Sequence, residues 1–574
     1  MRKFLLVLTV ASGVVLLTQP GLAQTASRAS APAALTGQVT SAEEGPMEGV
    51  LVTAKKTNST IAITVVSDGQ GRYRFPATKL DPGHYVISIR AVGYDLEGPT
   101  ATSAGSTSSP LGVDISGTQP ATTDLKLRKT ANLSRQLTNA EWIESVPGTP
   151  EQKSSLRNCV TCHTLQRPIR SIHDADEFIQ VQERMAAYVN QSIPEAPQTR
   201  LADRLAVQQE RGEEGGQSRQ SQARQKMAEF LSSINLSKAD AWAYSLKTFP
   251  RPTGRATHVI ITEYDLPKPT RQPHDVIVDS DRVAWYISFG EQVLGRLDPE
   301  TGKTTEFPIP VLKPDSPKGE LSLRPDQDGN LWVGMMYQGA VAKFDKKSEK
   351  FQTWSFPSED NKGYTQINQT DAIHSKVDGK VWVQDAGTYS LRRLDVATGK
   401  FGEVFQPFPE PSPNIYDVIS DSQNNAYFTV FGSDQIGRID AKTGKIKLYK
   451  TPTPNSAPRR GSMDSRGHLW FGEYRGNRIG MFDPETERFQ EWTPPTPWAQ
   501  PYDVVADKNG EAWAGSMFTD RITRLDPKSG QMTDYLLPRS TNIRRVFVDN
   551  STTPVTFWVG NDHGASIIKL EPLD

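Results

Sequence analysis

Gly467-His468-Leu469-Trp470-Phe471-Gly472-Glu473, followed by Gly476-Asn477-Arg478-Ile479-Gly480, is the clearest copy of a unit repeated through the C-terminal half of the chain. Aligning the aromatic centre of each copy gives Trp285, Trp332, Trp382, Tyr427, Trp470, Trp513 and Trp558, at steps of 43–50 residues. A period of about 40–50 residues with four short strands per unit predicts a β-propeller, here seven-bladed over 255–574. Each unit has an apolar inner strand such as Asp275-Val276-Ile277-Val278-Asp279, a turn such as Asp328-Gly329-Asn330, and then the Trp strand. A strand like Gly295-Arg296-Leu297-Asp298 follows, and Thr305-Glu306-Phe307-Pro308 exemplifies the outermost one. The last unit stops at Ile567-Ile568-Lys569-Leu570 without a fourth strand. The stretch Ile261-Thr262-Glu263-Tyr264-Asp265-Leu266-Pro267 is predicted to supply it, closing the ring and removing an open sheet edge.

The same alignment places Asp275, Glu320, Asp371, Asp417, Arg460, Asp503 and Arg545 at the openings of the inner strands, where they would ring one mouth of the central channel. Five acids with two arginines could hold a divalent cation such as Mg2+, or a polar ligand. They could equally satisfy backbone donors and one another, as buried polar groups must. His274 and His374 are further possible ligands, whereas His468 occupies a turn position. The repeated tryptophans read as core.

Upstream of the repeats stands Asn158-Cys159-Val160-Thr161-Cys162-His163, which contains Cys-x-x-Cys-His, the attachment signature of c-type haem. Cysteines three apart on one helical turn can both reach the haem vinyl groups. His163 then offers its imidazole to the iron as proximal ligand. A thioredoxin-like redox pair would sit near a βαβ unit, and none is read here. The chain's 2 cysteines both lie in this motif, so four-thiolate metal sites and a disulfide scaffold are excluded. The surroundings read as a small α-helical domain over 130–250, with helix starts at Thr138-Asn139-Ala140-Glu141 and Asp174-Ala175-Asp176-Glu177, and a closing helix at Ala228–Ile234. Between them 200–226 is rich in Arg, Gln, Glu and Gly and reads as a solvated helix or mobile insertion.

Residues 34–128 alternate in short stretches, as in Gly37-Gln38-Val39, Gly49–Ala54 and Tyr85–Ile89, with turns at Asp68-Gly69 and Asp81-Pro82-Gly83. This predicts a transthyretin- or Ig-like β-sandwich.

Three resemblances follow from these residues. Gly49-Val50, Asp68-Gly69-Gln70-Gly71-Arg72-Tyr73-Arg74-Phe75, Leu80–Tyr85 and Gly93-Tyr94 resemble the carboxypeptidase regulatory-like domain, which implies an accessory module. Cys162-His163-Thr164-Leu165-Gln166-Arg167 with Glu183-Arg184-Met185 resembles a subgroup of small c-type cytochromes. That resemblance implies a sixth haem ligand, with Met185 first, Met227 second and His173 third. The 255–574 repeats resemble the virginiamycin B (streptogramin) lyases, which open a cyclic depsipeptide by metal-dependent elimination. In that family Pro-His opens inner strands at the active end, and a Glu stands three residues after a Trp. Here Pro273-His274 and Glu473 fit, making His274 and Glu473 the catalytic candidates. The other positions three after the aromatic are Ser288, Met335, Asp385, Val430, Ser516 and Asn561, so carboxylates are sparser than such a lyase needs.

The N-terminus reads Met1-Arg2-Lys3, an apolar run from Phe4 to Leu17, and Gly21-Leu22-Ala23, which predicts an export signal over 1–23, cleaved after Ala23. The run is shorter than the roughly 20 residues of a membrane span, so the mature chain is expected to be periplasmic or otherwise exported, with no transmembrane segment. The balance of 65 basic against 66 acidic residues argues against a dedicated nucleic-acid binder. The combined expectation is a mainly β, multidomain, exported c-type haem protein in electron transfer. Its propeller would bind a ligand, a substrate or a redox partner protein. The alternatives are a divalent-metal-dependent carbon–oxygen lyase acting in the channel and a non-enzymatic glycan- or peptide-binding protein.

Overall fold

The computed structural model describes residues 1, 32–98, 111–201, 216–239, 241–363 and 365–574. The expected export signal, beyond Met1, and positions 202–215 of the expected insertion lie outside the described residues. Among the described residues no helix is long and apolar enough to cross a membrane.

Six four-stranded antiparallel sheets follow one another from Pro273–Val278 to Met532–Leu536, each running from inner to outer strand in chain order. The seventh blade has Val546–Asp549, Thr556–Asn561 and Ser566–Pro572. Val259–Asp265 completes it, with Ile261 paired to Leu570. The expected closing strand is present, running two residues earlier than the stretch Ile261–Pro267.

A short device recurs in four of the blades. In the first, Asp279 accepts the amides of Asp281 and Val283 through Oδ1, which forms the tight turn. Its Oδ2 accepts the indole N–H of Trp285 at 2.8 Å. Asp326, Asp464 and Asp507 hold Trp332, Trp470 and Trp513 in the same way at 3.0–3.1 Å. One carboxylate thus shapes the turn and satisfies the polar atom of a buried aromatic, which lets the indole enter the inter-blade core.

The sandwich is not merely tethered to the propeller. Its strands Ile61–Val66, Leu51–Lys56, Gly83–Arg90 and Leu111–Ile115 continue the seventh blade into one eight-stranded sheet. Val259–Asp265 is the seam, pairing with the blade on one edge and with Ile61–Val66 on the other. Leu51 and Val66 of the sandwich share an apolar cluster with Ile261, Trp513 and Ile568. A second sheet built around Ala33–Ser41 closes the sandwich over Val39, Val52, Phe75 and Ile87.

The intervening segment is helical. Thr138 and Glu141 form a capping box on Asn139–Ser145, as do Asp174 and Glu177 on Ala175–Ala186. The closing helix spans Gly216–Ile234. Its core of Trp142, Leu156, Val160, Leu165 and Phe178 merges with Tyr416, Tyr474, Tyr502 and Phe518 of the propeller.

Candidate functional site

The strand register fixes what lines the channel. Ile277 pairs with Trp285, Ile419 with Tyr427, Ser462 with Trp470, Val505 with Trp513 and Phe547 with Trp558. Counting back two residues yields Asp275, Asp417, Arg460, Asp503 and Arg545, as the sequence alignment has them. Two blades differ. Asp371 itself pairs with Trp382, and Glu320 pairs with Met335 at the strand's first position. The residues in register are therefore Gln369 and Ser322, and Glu320 and Asp371 lie one step above and one step below the ring. An alignment on acids follows residue type and not pairing: Trp382 lies eleven residues after its partner Asp371, against eight for Ile277–Trp285 and Arg324–Trp332, so the third hairpin is longer, and in the second blade the acid taken stands two residues before the register position.

The acids of the channel staple neighbouring blades. Asp275 Oδ2 accepts the amide of Leu323, Asp371 that of Ser420, Asp417 that of Gly461 and Asp503 that of Val546, at 2.9–3.2 Å. The same carboxylates meet arginines, Asp275 and Asp417 through Oδ1 and Asp371 and Asp503 through the Oδ2 that also takes the amide. Arg460 reaches Asp275 at 2.7 Å, Arg324 reaches both Asp371 and Asp417 at 2.7 Å, and Arg545 stands 3.4 Å from Asp503. His374 hydrogen-bonds Ser420 Oγ at 2.9 Å. Among the described residues no group of three His, Cys, Asp or Glu side chains is arranged to hold a metal ion. Glu320 is buried with both oxygens unpartnered, and burial raises its pKa well above the usual carboxylate range.

The chemistry gathers one residue earlier, at the bulge itself. This position reads His274, Leu321, Asn368, Tyr416, Arg459, Tyr502 and Arg544 around the ring. His274 is fully buried, and its Nδ1 lies 2.7 Å from Asp275 Oδ1. That carboxylate places the proton on Nδ1, so Nε2 accepts the Tyr502 hydroxyl at 3.2 Å. Tyr416 and Tyr502 hydroxyls are 2.5 Å apart. Burial outweighs the pull of Asp275 and brings the His274 pKa down to about 3, so the imidazole is neutral. Burial acts to raise the Tyr416 phenol, but Arg459 and the bond to Tyr502 outweigh it and hold the pKa below the ordinary tyrosine value. Asp275, His274, Tyr502 and Tyr416 thus form a hydrogen-bonded row beside the Arg459 guanidinium. Sequence reasoning found His274 and Asp275 of this set and missed Tyr416 and Tyr502. The available signal was the repeated Pro-x opening in Pro273-His274, Pro458-Arg459 and Pro501-Tyr502.

Glu473 sits at the same end but is not joined to His274 by any hydrogen bond or ion pair among the described residues. Burial and the adjacent Glu491 carboxyl raise its pKa to about 9, so it is protonated at neutral pH. Glu491 is held by Thr453 through two hydrogen bonds of 2.6 and 3.0 Å.

The Cys-x-x-Cys-His motif lies over this mouth. Cys159 falls in the 3-10 turn Leu156–Thr161 and Cys162 follows as its cap, not in an α-helix. Residues three apart eclipse on a 3-10 turn, so the two thiols still share a face. They are not bonded to each other. Burial pushes the Cys159 thiol up to about 12 and raises that of Cys162. His163 Nδ1 donates to the Thr164 carbonyl at 2.9 Å, which leaves Nε2 as a free lone pair, and burial lowers its pKa. Unpaired thiols on one face beside a neutral imidazole with its Nε2 available fit a c-type haem. The propeller grips the motif backbone. Asn542 Nδ2 donates to Val160 O at 3.0 Å, Arg544 Nη2 to Thr161 O at 3.0 Å and His563 Nε2 to Thr161 O at 3.1 Å.

The three distal-ligand candidates separate. Met227 packs into the cluster that contains Cys159, with its sulfur 3.6 Å from Ser155 Oγ. Met185 belongs to no such cluster, and His173 is half exposed beside Glu177 and Phe178.

Comparison with known proteins bears on two of the three parts. Residues 252–465 match the model of the virginiamycin B lyase family, and residues 34–127 that of the carboxypeptidase regulatory-like domain. The chain therefore carries a virginiamycin B lyase-like propeller behind a carboxypeptidase regulatory-like domain. Among solved structures, a streptogramin B lyase is 24% identical over 56% of this chain and 99% of its own, with a TM-score of 0.48. A virginiamycin B lyase from Staphylococcus aureus is 22% identical over 54% of this chain and 99% of its own, with a TM-score of 0.46. No curated protein matches the chain.

Proposed function

We propose that this chain is an exported c-type haem protein that passes electrons to or from a redox partner protein, using the propeller mouth as the seat of its haem segment. The observation that carries the reading is the three-point grip of Asn542, Arg544 and His563 on Val160 and Thr161, inside the Cys159–His163 motif. Cys159 and Cys162 would tether the haem, and His163 would present Nε2 to its iron. The packing supports Met227 over Met185 and His173 as the sixth ligand. Bound haem supplies a one-electron couple. The protein's own part is to exclude water through the Trp142–Leu156–Tyr502 cluster and to hold the motif rigid. The test is a haem-stained band on a denaturing gel that reduces and reoxidises reversibly in the native protein. It should vanish in Cys159→Ala/Cys162→Ala.

A second reading has its own support. The family match over 252–465 and the neutral His274 at the mouth fit a divalent-metal lyase with His274 as base. Against it, the helical segment roofs the mouth, through Ala140 N to Phe518 O at 2.9 Å and Gln191 Nε2 to Lys318 O at 3.0 Å. Streptogramin cleavage that requires Mg2+ and is lost in His274→Ala would establish this second activity. The absence of cleavage in the metal-supplied protein would dismiss it.

A further inference from the structure

Immediately after the Cys-x-x-Cys-His motif the chain opens onto the surface as a cleft of about 320 Å3, lined by Thr164, Gln166, Arg167 and Arg170. The short helix Gln166–Ile169 shapes it. Leu165 and Ile169, four apart on one face, are fully buried. The Leu165 amide also donates to Asn139 Oδ1 at 2.8 Å. This anchor leaves Gln166 and Arg170, likewise four apart, on the outer face with Arg167. Arg167 is exposed and Arg170 half-buried. Exposed Arg135, from the turn Leu133–Arg135, is close enough to Arg170 for the two charges to oppose each other.

Among the described residues no acid pairs with any of these three arginines. Surface arginines elsewhere do have such partners, as Arg72, Arg224 and Arg296 hold Asp68, Glu183 and Glu349 at 2.9–3.1 Å. The next acids along the chain with a role of their own, Asp174 and Glu177, cap Ala175–Ala186, and Glu177 also meets His173 at 3.4 Å. Like charges held side by side on an anchored turn give a positive field that draws anions. The planar fork of each guanidinium suits a carboxylate. Ile172, two residues after Arg170, is 56% exposed. A large apolar side chain next to arginines with no acid to hold them has the makeup of a protein interface, not of a pocket for a small ion. The position gives the class of partner. Thr164 lines the cleft, and its carbonyl accepts the Nδ1–H of His163 at 2.9 Å. A protein seated on the cleft therefore lies one hydrogen bond from the imidazole assigned to the haem iron.

We propose that Arg135, Arg167 and Arg170 form the docking face for an acidic patch on the redox partner protein. The partner's redox role rests on the electron-transfer reading above. The docking face itself rests on the cleft and its charges. A free oxyanion such as phosphate is the other source of the same chemistry.

The experiment follows association of the full-length protein with a fluorescently labelled oligo-aspartate peptide by stopped flow at low ionic strength. It compares the wild type, Arg167→Gln/Arg170→Gln, Arg135→Gln and the control Arg488→Gln, an exposed arginine on the outer strand Arg488–Trp492. Circular dichroism is checked first, and Arg135→Gln guards against a double variant that fails to fold, because Arg135 is exposed. The proposal expects the association rate to fall about tenfold in the double variant, the lower end of what charge steering supplies. The rate should fall by a smaller factor in Arg135→Gln and stay unchanged in the control. The wild-type advantage should vanish near 1 M salt, where the screening length is about 3 Å. Equal rates for the wild type and the arginine variants overturn it. Equal peptide rates, with phosphate binding by the wild type that the double variant loses, overturn it in favour of a small-anion site. Haem is quantified in the same samples. The expected loss of rate in a protein that carries no haem supports the docking face and overturns the electron-transfer reading.

Discussion

Arg544 donates a 3.0 Å hydrogen bond to the carbonyl of Thr161, so the residue that opens the seventh blade's inner strand holds the centre of the Cys-x-x-Cys-His turn. The same guanidinium pairs with buried Asp562 at 3.2 Å. Replacing Arg544 with Met leaves buried Asp562 without its guanidinium and the Thr161 carbonyl with His563 alone. Breaking a buried pair from one side costs about 3–5 kcal/mol. Urea unfolding should show that loss, and limited proteolysis should cut near 156–163 sooner than in the wild type. An unchanged cleavage rate would show that Arg544 does not hold the motif.

Ile261 is fully buried in the cluster that joins sandwich and propeller, on the strand shared by both sheets. Ile261→Ala should cost about 2–5 kcal/mol. Because the strand belongs to both sheets, calorimetry should show both parts losing stability in one transition. Deleting 258–267 should lower the melting temperature of the whole ring. An unaltered melting temperature would contradict closure by this strand.

Glu473 makes the stability depend on pH in a defined direction. Its folded pKa is raised to about 9, above the unfolded value of about 4.3. The folded state therefore binds the extra proton between these values, and stability is lost as pH rises through that window. Glu473→Gln keeps the hydrogen-bonding shape without the charge. It should stabilise the protein at pH 8 by on the order of 1–3 kcal/mol, the size of an unpaired buried polar group. The gain should disappear at pH 4. Parallel pH profiles of the two proteins would refute the assignment.

Among distal ligands, the position of Met227 in the cluster containing Cys159 predicts a sharp difference between two variants. The weak far-red band of thioether–iron ligation should be lost in Met227→Ala and kept in Met185→Ala. The reverse pattern would restore Met185.

The blades were legible because each buried indole needs its partner, and Asp279, Asp326, Asp464 and Asp507 recur six residues before Trp285, Trp332, Trp470 and Trp513. The closing strand was legible because the seventh unit lacked one. The channel ring was legible only in part, since the third hairpin is longer than its neighbours and the register residues Ser322 and Gln369 are not acids, and so Glu320 and Asp371 stood in for them. The union of Ile61–Val66 with Val259–Asp265 was not legible, because edge-to-edge pairing runs through backbone groups that every residue carries. The Tyr416–Tyr502–Arg459 cluster needs three blades in register before its members become neighbours.

The central claim is a covalent haem at Cys159 and Cys162, seated on the propeller mouth. Its most direct test is the intact mass of the full chain purified from a periplasm equipped with haem-attachment machinery, alongside Cys159→Ala/Cys162→Ala. The account predicts that the wild-type polypeptide is heavier than its mature sequence by one haem and that the double variant is not. A wild-type mass equal to the bare mature chain under those conditions would contradict it.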